Sequence, residues 1–484
     1  MKQQISSVLL LAAMLCAGLV SCADGAGESV QTGAQTDTAP VTEAVTEDPD
    51  YVPDGLPEQD FGGETVSFLT TVWYNATQYI YASEANGDVV NDALYDARTA
   101  VEERFNVNVA LTADKEVGET ATLFHNAVMA GDTVYDILYN HDLETIKSSL
   151  NGDFLNMRAI DVFDFTKPWW TQTTEEFTIA DKLYCTSSHL SLAGVYLNYI
   201  LAVNKDLASA YDLEIQYDKV RSGAWYMEDL IALCKTMPMD LNGDGKMGEE
   251  DQYGFLSSYY GNMGMQSNFG GKVLGKDEAG NLMLLDNSDR IVSILEKIEA
   301  LYEYGTDEYG GGNEYGMHMF VEGQGLFSLT ESRVLMDQAR DTEFSWGVLP
   351  FPKFDETQEE YRSAGCDLYW GISLTAADRT DVIATVVEAL SCENYNNVLP
   401  AVWELMLGAK LSDAPDDADM FAVIRDAQYV DLGYAFSGQS SQLSQLVFLV
   451  ENTDAGKVMS YMEKRLNAVG KFIEKMNTAY AELP

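Results

Sequence analysis

Between residues 64 and 476, short apolar runs alternate with longer segments whose apolar residues recur every three or four positions. Few architectures accept such a pattern. Strands followed by amphipathic helices pack as α/β units, and repeated units build mostly parallel sheets covered by helices. Glu64 to Tyr74 alternates around Val66 and Phe68 and predicts a first strand. Asn91 to Asn106 puts Leu94, Ala97, Val101 and Phe105 on one helical face, with Asn91 or Asp92 as cap. Val107 to Val109, Tyr135 to Tyr139, Asn198 to Val203 and Trp370 to Leu374 read as further strands, and Asn204 starts the next helix. Ser288 to Tyr304 turns Ile291, Ile294, Leu295, Ile298 and Leu301 inward and stops at Gly305. Asp381 to Leu390 reads as a helix, and from Ala455 one long helix presents Val458, Met462, Leu466, Val469, Ile473 and Met476.

At 484 residues the chain is long enough for two domains. A net charge of -48 excludes nucleic acid and anionic membrane surfaces as partners, because both would be repelled. Outside the N-terminal region the cysteines are Cys185, Cys234, Cys366 and Cys392. Their wide spacing makes no metal pattern, and a chain of this size needs no disulfide framework, so they read as buried thiols, with a Cys366–Cys392 bridge as the alternative. His125, His141, His189 and His318 form no metalloprotease or nucleophile pattern.

The N-terminus is a different kind of segment. After Lys2, an apolar run from Val8 to Val20 is too short to span a membrane well and suits a secretory signal. Leu19-Val20-Ser21-Cys22 resembles the bacterial lipoprotein signal, which implies a signal peptide over 1–21 and a diacylglycerol on Cys22. Residues 22–59 are rich in Gly, Ala, Thr, Glu, Asp and Pro and read as a disordered tether. No Lys or Arg lies between Lys2 and Arg98, so the lipid alone would hold the protein to the bilayer.

Asp240-Leu241-Asn242-Gly243-Asp244-Gly245-Lys246-Met247-Gly248-Glu249-Glu250-Asp251 matches an EF-hand-like loop. Oxygens from Asp240, Asn242 and Asp244 stand at positions one, three and five, with Gly245 at six, the Lys246 carbonyl at seven and Asp251 at twelve. Ca²⁺ prefers many hard oxygens, so this set predicts a structural calcium site. The alternative is an acidic turn that binds nothing.

Several stretches, in order, resemble bacterial extracellular solute-binding proteins of the sugar type. They are Asn91-Asp92-Ala93-Leu94-Tyr95 with Val101-Glu102-Glu103-Arg104-Phe105-Asn106-Val107, then Lys167-Pro168-Trp169-Trp170, Val203-Asn204-Lys205-Asp206-Leu207, Gly223-Ala224-Trp225-Tyr226-Met227-Glu228-Asp229-Leu230, Gly270-Gly271-Lys272-Val273-Leu274, Trp346-Gly347-Val348-Leu349-Pro350-Phe351-Pro352 and Asp431-Leu432-Gly433-Tyr434. The resemblance implies an α/β fold of two lobes, like that of type II periplasmic binding proteins, with a ligand cleft between them. It puts 60–190 and 370–425 in one lobe and 191–369 and 426–484 in the other. It also implies a monomer, anchored outside the cytoplasm, that captures a carbohydrate and delivers it to the permease subunits of an ABC importer without catalysis.

Within that expectation the aromatic residues become candidates. Sugar C–H faces stack on aromatic rings while hydroxyls pair with carboxylates. Trp73, Trp170 and Trp370 sit at strand ends or segment joins and are the expected platforms, with Asp367 and Glu331 as hydroxyl acceptors. Trp225 and Trp346 fall at structural positions of the family and are assigned to packing. Two other function classes stay open: a lipid-anchored glycoside hydrolase working through two carboxylates, and a calcium-stabilised surface adhesin.

Overall fold

The first strand stops at Thr71, three residues before its expected end, because Tyr74 and Asn75 turn to positive φ. The computed structural model of the chain describes residues 51–257, 259–307, 317–339, 342–365, 368–408, 415–436 and 457–483. The signal segment, Cys22 and most of the tether lie outside the described residues, as do Cys366 and Asp367. The described residues from Val52 onward cluster as one unit.

One sheet holds β1 (Glu64–Thr71), β2 (Val107–Lys115), β3 (Ile137–His141) and β12 (Leu368–Ile372), in the order β12-β3-β1-β2. A second holds β4 (Tyr199–Asn204), β5 (Tyr253–Ser257), β8 (Gly305–Asp307), β9 (Gly325–Glu331) and β10 (Trp346–Leu349), in the order β10-β4-β9-β5-β8. Two small pairs complete the set: β6 (Leu274–Lys276) with β7 (Leu282–Leu284), and β11 (Ser363–Ala364) with β13 (Gln428–Tyr429). The expected α/β class is observed, but the sheets are mixed rather than mostly parallel. β1 is parallel to β2 and β3, while β12 runs antiparallel to β3. β4 likewise runs antiparallel to β9. The reason is connectivity. A parallel partner needs a crossover helix, and β12 follows the second sheet with no helix to carry the chain back along the first. It therefore enters at the edge where β3 ends, with Leu368 opposite His141. Tyr199, the first residue of β4, pairs in the same way with Glu331, the last of β9.

Helices cover both sheets. Val89–Phe105 buries Leu94, Ala97, Val101 and Phe105 as expected, but its cap is Asp88, whose carboxylate accepts from the Val90 and Asn91 N–H groups. Asn106, with φ 48°, ends it in the left-handed region. Ser288–Tyr302 buries all five expected residues. The last helix, Val458–Glu482, buries Val458, Met462, Val469, Phe472, Met476 and Tyr480 and leaves Leu466 exposed.

Three chain segments meet where the sheets join. Ser363 Oγ donates to Asn198 Oδ1 at 2.8 Å, and Gln428 Nε2 donates to the Gly194 carbonyl at 3.1 Å. Gly365 is required there, since a Cβ on it would stand 2.3 Å from the Leu197 carbonyl oxygen. One expected boundary differs from the observed contacts. The helix Pro415–Asp426, placed by the sequence with the first lobe, packs on β10. Its buried Asp417 takes an ion pair from Lys205 and a hydrogen bond from the Tyr217 hydroxyl at 3.0 Å, both from the second-sheet side.

Candidate functional site

The carboxyl ends of β1, β3 and β9 carry the residues of the site, as is general for ligand crevices in open α/β sheets. β1 leads into a short 3₁₀ segment, Trp73–Tyr79, in which Tyr74 and Asn75 hold φ of 55° and 53°. Two consecutive non-glycine residues in the left-handed region cost about 1–2 kcal/mol each, and such strain concentrates at ligand sites. Trp73 stacks on Tyr74, with centroids 4.3 Å apart, and meets His141 edge-on at 4.7 Å. His141, at the end of β3, is held above its ordinary pKa. Burial opposes its charged form, but Asp142 at 2.7 Å, aided by Glu144, outweighs the burial.

The second sheet contributes Glu331, the last residue of β9, and Arg333 in the helix Ser332–Gln338 that follows. The Arg333 guanidinium lies 4.2 Å over the Tyr74 ring and 3.3 Å from Glu331 Oε2. A contact between the sheets therefore forms at the site. Burial pushes the Glu331 carboxyl up to about 7, with Arg333 pulling the other way. Beside this cluster opens a cavity of about 640 Å³. Gln78, Tyr79, Asn86, Asp88, Val90 and Asn91 line it from the first-sheet side. Arg333, Met336 and Asp337 line it from the second, and Tyr196 from a crossing segment. That volume suits a ligand of a few sugar rings.

Of the expected site residues, the structure brings Trp73 and Glu331 together at this edge and removes two others from it. Trp370 is 0 % exposed and Trp170 is 8 % exposed. They pack 6.0 Å apart among Phe163 and Phe165. Trp370 pairs with Tyr139 in register and its Nε1 donates to Ser188 Oγ at 3.3 Å. Trp370 lies inside a fully buried strand, and Trp170 is enclosed by Trp370 and by Phe163 and Phe165 of the loop before it, so neither ring is a ligand platform in this geometry. Asp367 lies outside the described residues. Trp225 and Trp346 are buried as expected, their indole N–H groups donating to the Pro350 and Ala339 carbonyls. Arg333, Tyr79, Tyr196 and Asp88 were missed by the sequence reading. The strand-end rule, applied to the segment after Glu331, would have reached Arg333.

The acidic loop closes on itself. Asp240 accepts from the Gly243 and Gly245 N–H groups at 2.6 and 2.7 Å, and Asp244 from Lys246 at 2.8 Å. Asn242 accepts from Asp244 at 2.8 Å, and Asp251 accepts from Leu241 and Gly248 at 2.8 and 2.7 Å. The donor types suit calcium. Their placement is that of a hydrogen-bonded turn, and among the described residues no three His, Cys, Asp or Glu side chains are grouped to hold a metal. Cys185, Cys234 and Cys392 are buried thiols.

No protein-family model matches the chain, and no curated protein matches it. Solved structures do. An ABC substrate-binding protein of Listeria monocytogenes in complex with cycloalternan aligns at 14% identity and TM-score 0.53, covering 86% of this chain and 99% of that one. A cyclo/maltodextrin-binding protein complexed with maltotetraose aligns at 13% identity and TM-score 0.54, covering 86% and 97%. UgpB from Mycobacterium tuberculosis in complex with glycerophosphocholine aligns at 13% identity and TM-score 0.53, covering 85% and 99%. The fold is that of the two-lobed solute-binding proteins. In this solute-binding-protein fold the two mixed sheets are the cores of the lobes. The segments around Asn198, Ser363 and Gln428 are the crossings, and the 640 Å³ cavity opens between the lobes.

Proposed function

We propose that the chain captures a carbohydrate, an oligosaccharide by size, in the cavity between its lobes and hands it to the permease subunits of an ABC importer. The observation that carries this reading is a cavity lined from both lobes, by Tyr79, Asp88 and Asn91 on one side and Arg333 and Asp337 on the other, beside the strained aromatic pair Trp73–Tyr74 on which Arg333 rests. A ligand gripped from two sides favours closure, a hinge motion about the crossings. Trp73 is half-buried at the edge of the core, stacked on Tyr74, so its truncation leaves a solvent-open gap rather than an enclosed void. Trp73→Ala is therefore expected to weaken the best-binding oligosaccharide by about tenfold to a hundredfold, from roughly 1–3 kcal/mol of lost apolar contact, with the melting temperature little changed. Titration calorimetry on both proteins checks this, and equal affinities would remove Trp73 from the site.

We read no catalysis at this site. Glycoside hydrolysis needs two carboxylates placed for an acid and a base or nucleophile. The Glu331 carboxylate is engaged with Arg333 and the Asp88 carboxylate with a helix N-terminus, which leaves Asp337 as a single disengaged acid of the described lining where the reaction needs two. Release of the dye from a chromogenic glycoside would restore the hydrolase alternative.

Two further proposals start from the sequence. The first is that Cys22 carries the lipid that holds the protein outside the cytoplasm, so Cys22→Ser is expected to move it from the membrane to the soluble fraction. Retention of the variant on membranes would reject the anchor. The second is a structural calcium ion in the Asp240–Asp251 loop, since each carboxylate oxygen that accepts one N–H keeps a second lone pair. Calcium is then expected to raise the melting temperature by mass action, and Asp244→Ala to abolish the rise. Identical melting curves in calcium and in chelator would leave only a turn.

A further inference from the structure

An inter-lobe cavity attracts anions when it presents a helix N-terminus or a guanidinium with nothing to neutralise it. This cavity has both groups, and both are already answered by the protein's own acids. The helix Val89–Phe105 points its first N–H groups at the cavity wall, where Val90 and Asn91 lie. Asp88 takes those two N–H groups on one carboxylate oxygen, at 3.1 and 2.9 Å. Asp92, in the first turn of the same helix, takes the Asn86 and Gly87 N–H groups at 2.8 and 3.1 Å. On the other lobe, Arg333 shares its charge with Glu331 at 3.3 Å and stands over the Tyr74 ring at 4.2 Å. Asp337, one helical turn further on, faces the same cavity and makes no salt bridge among the described residues. The described lining thus sets two carboxylates against a single guanidinium that is itself compensated. Amides from Gln78, Asn86 and Asn91 are neutral hydrogen-bonding groups that suit hydroxyls.

We propose that this cavity sorts saccharides by charge, admitting neutral and amine-bearing chains and turning away carboxylated or phosphorylated ones. The inference rests on the carbohydrate reading above and narrows it. Its physical basis is that an anionic ligand desolvated between Asp88 and Asp337 meets like charge and finds no uncompensated cation, whereas a neutral ligand needs only hydroxyl partners and an aromatic face. The protein's charge of -48 acts in the same direction at longer range.

The test is calorimetry on the full chain with malto- and cello-tetraose, each prepared neutral, with C6 amines and with C6 carboxylates. For whichever backbone binds, the carboxylated form is expected to bind at least about tenfold more weakly than the neutral one, as like-charge juxtaposition implies. Asp337→Asn, at an exposed position that leaves the fold intact, is expected to narrow that gap, and so is raised salt. Carboxylated and neutral forms binding alike in the wild-type protein would overturn the charge filter and leave the carbohydrate reading standing. Binding of none of the six forms would overturn both. A gap that Asp337→Asn leaves unchanged would overturn the role given to Asp337.

Discussion

Replacing Trp370 by Ala is expected to lower the unfolding free energy by about 3–5 kcal/mol, the cost of truncating a large aromatic side chain in a core. The ring is fully buried in β12, bracketed by Phe163 and Trp170, with its N–H bonded to Ser188. Removing it leaves a void, because its neighbours belong to a strand and to loops held by their own pairings and cannot all collapse inward. Ser188 also loses its donor, which adds to the penalty. The informative comparison is with Trp73→Ala, where affinity is expected to fall and stability to hold. Urea unfolding of the two variants checks the contrast. If Trp370→Ala unfolds like wild type, the indole is not a packing element and the assignment of β12 to the core of the first lobe is wrong.

The second large effect is a gain of stability on acidification. Burial raises Glu331 and Glu388 from 4.5 to about 7 and Asp431 from 3.8 to about 6. Glu388 lies wholly buried, accepting from the Trp169 indole N–H at 3.1 Å, and Asp431 lies buried beside Tyr429 and Tyr434. In each case the folded protein holds its proton to a higher pH than the unfolded chain does. The stability these groups contribute is therefore complete below about 4 and is lost as pH rises through 6 to 7. Each accounts for on the order of 2–3 kcal/mol, since a tenfold change in proton affinity is worth about 1.4 kcal/mol. His189 opposes them. Burial lowers it from 6.5 to about 4, so stability is lost through it as pH falls below 6.5, by about 2 kcal/mol at pH 5. Three acids against one imidazole leave a net gain, and relief of repulsion in a chain of charge -48 adds to it. The melting temperature is expected to be higher at pH 5 than at pH 8. Glu331→Gln and Glu388→Gln should each flatten the profile. A profile that falls steadily from pH 8 to pH 5 would show that the folded protein holds these protons no more tightly than the unfolded chain does.

Periodicity made much of this fold legible. The faces of Val89–Phe105 and Ser288–Tyr302 were readable because a helix burying one stripe must repeat its apolar residues every 3.6 positions. Strand existence was readable for the same kind of reason, with ends displaced by up to a few residues. The first helix shows why ends are harder. Asn91 and Asp92 are as good a cap by type as Asp88, and only the backbone geometry before Val89 decides among them.

What the sequence by itself determined is the class of the protein: α/β units with caps and apolar faces in order, an acidic surface that repels polyanions, and the residue types of an acidic Asn-Gly/Asp-Gly loop. These depend on local spacing and composition, which a linear chain displays directly. Tertiary structure alone decided which tryptophans are enclosed in the core and which stand half-buried at its edge. Trp73 and Trp370 both sit near strand ends in the sequence, and only the pairing of β12 with β3 buries the second. It also decided that Arg333 meets Tyr74, some 260 residues earlier in the chain, and that Asp88 silences the helix end facing the cavity. Contacts between distant segments follow from how the lobes cross and pack. No local period encodes that arrangement, because it is the sum of many weak burials satisfied at once.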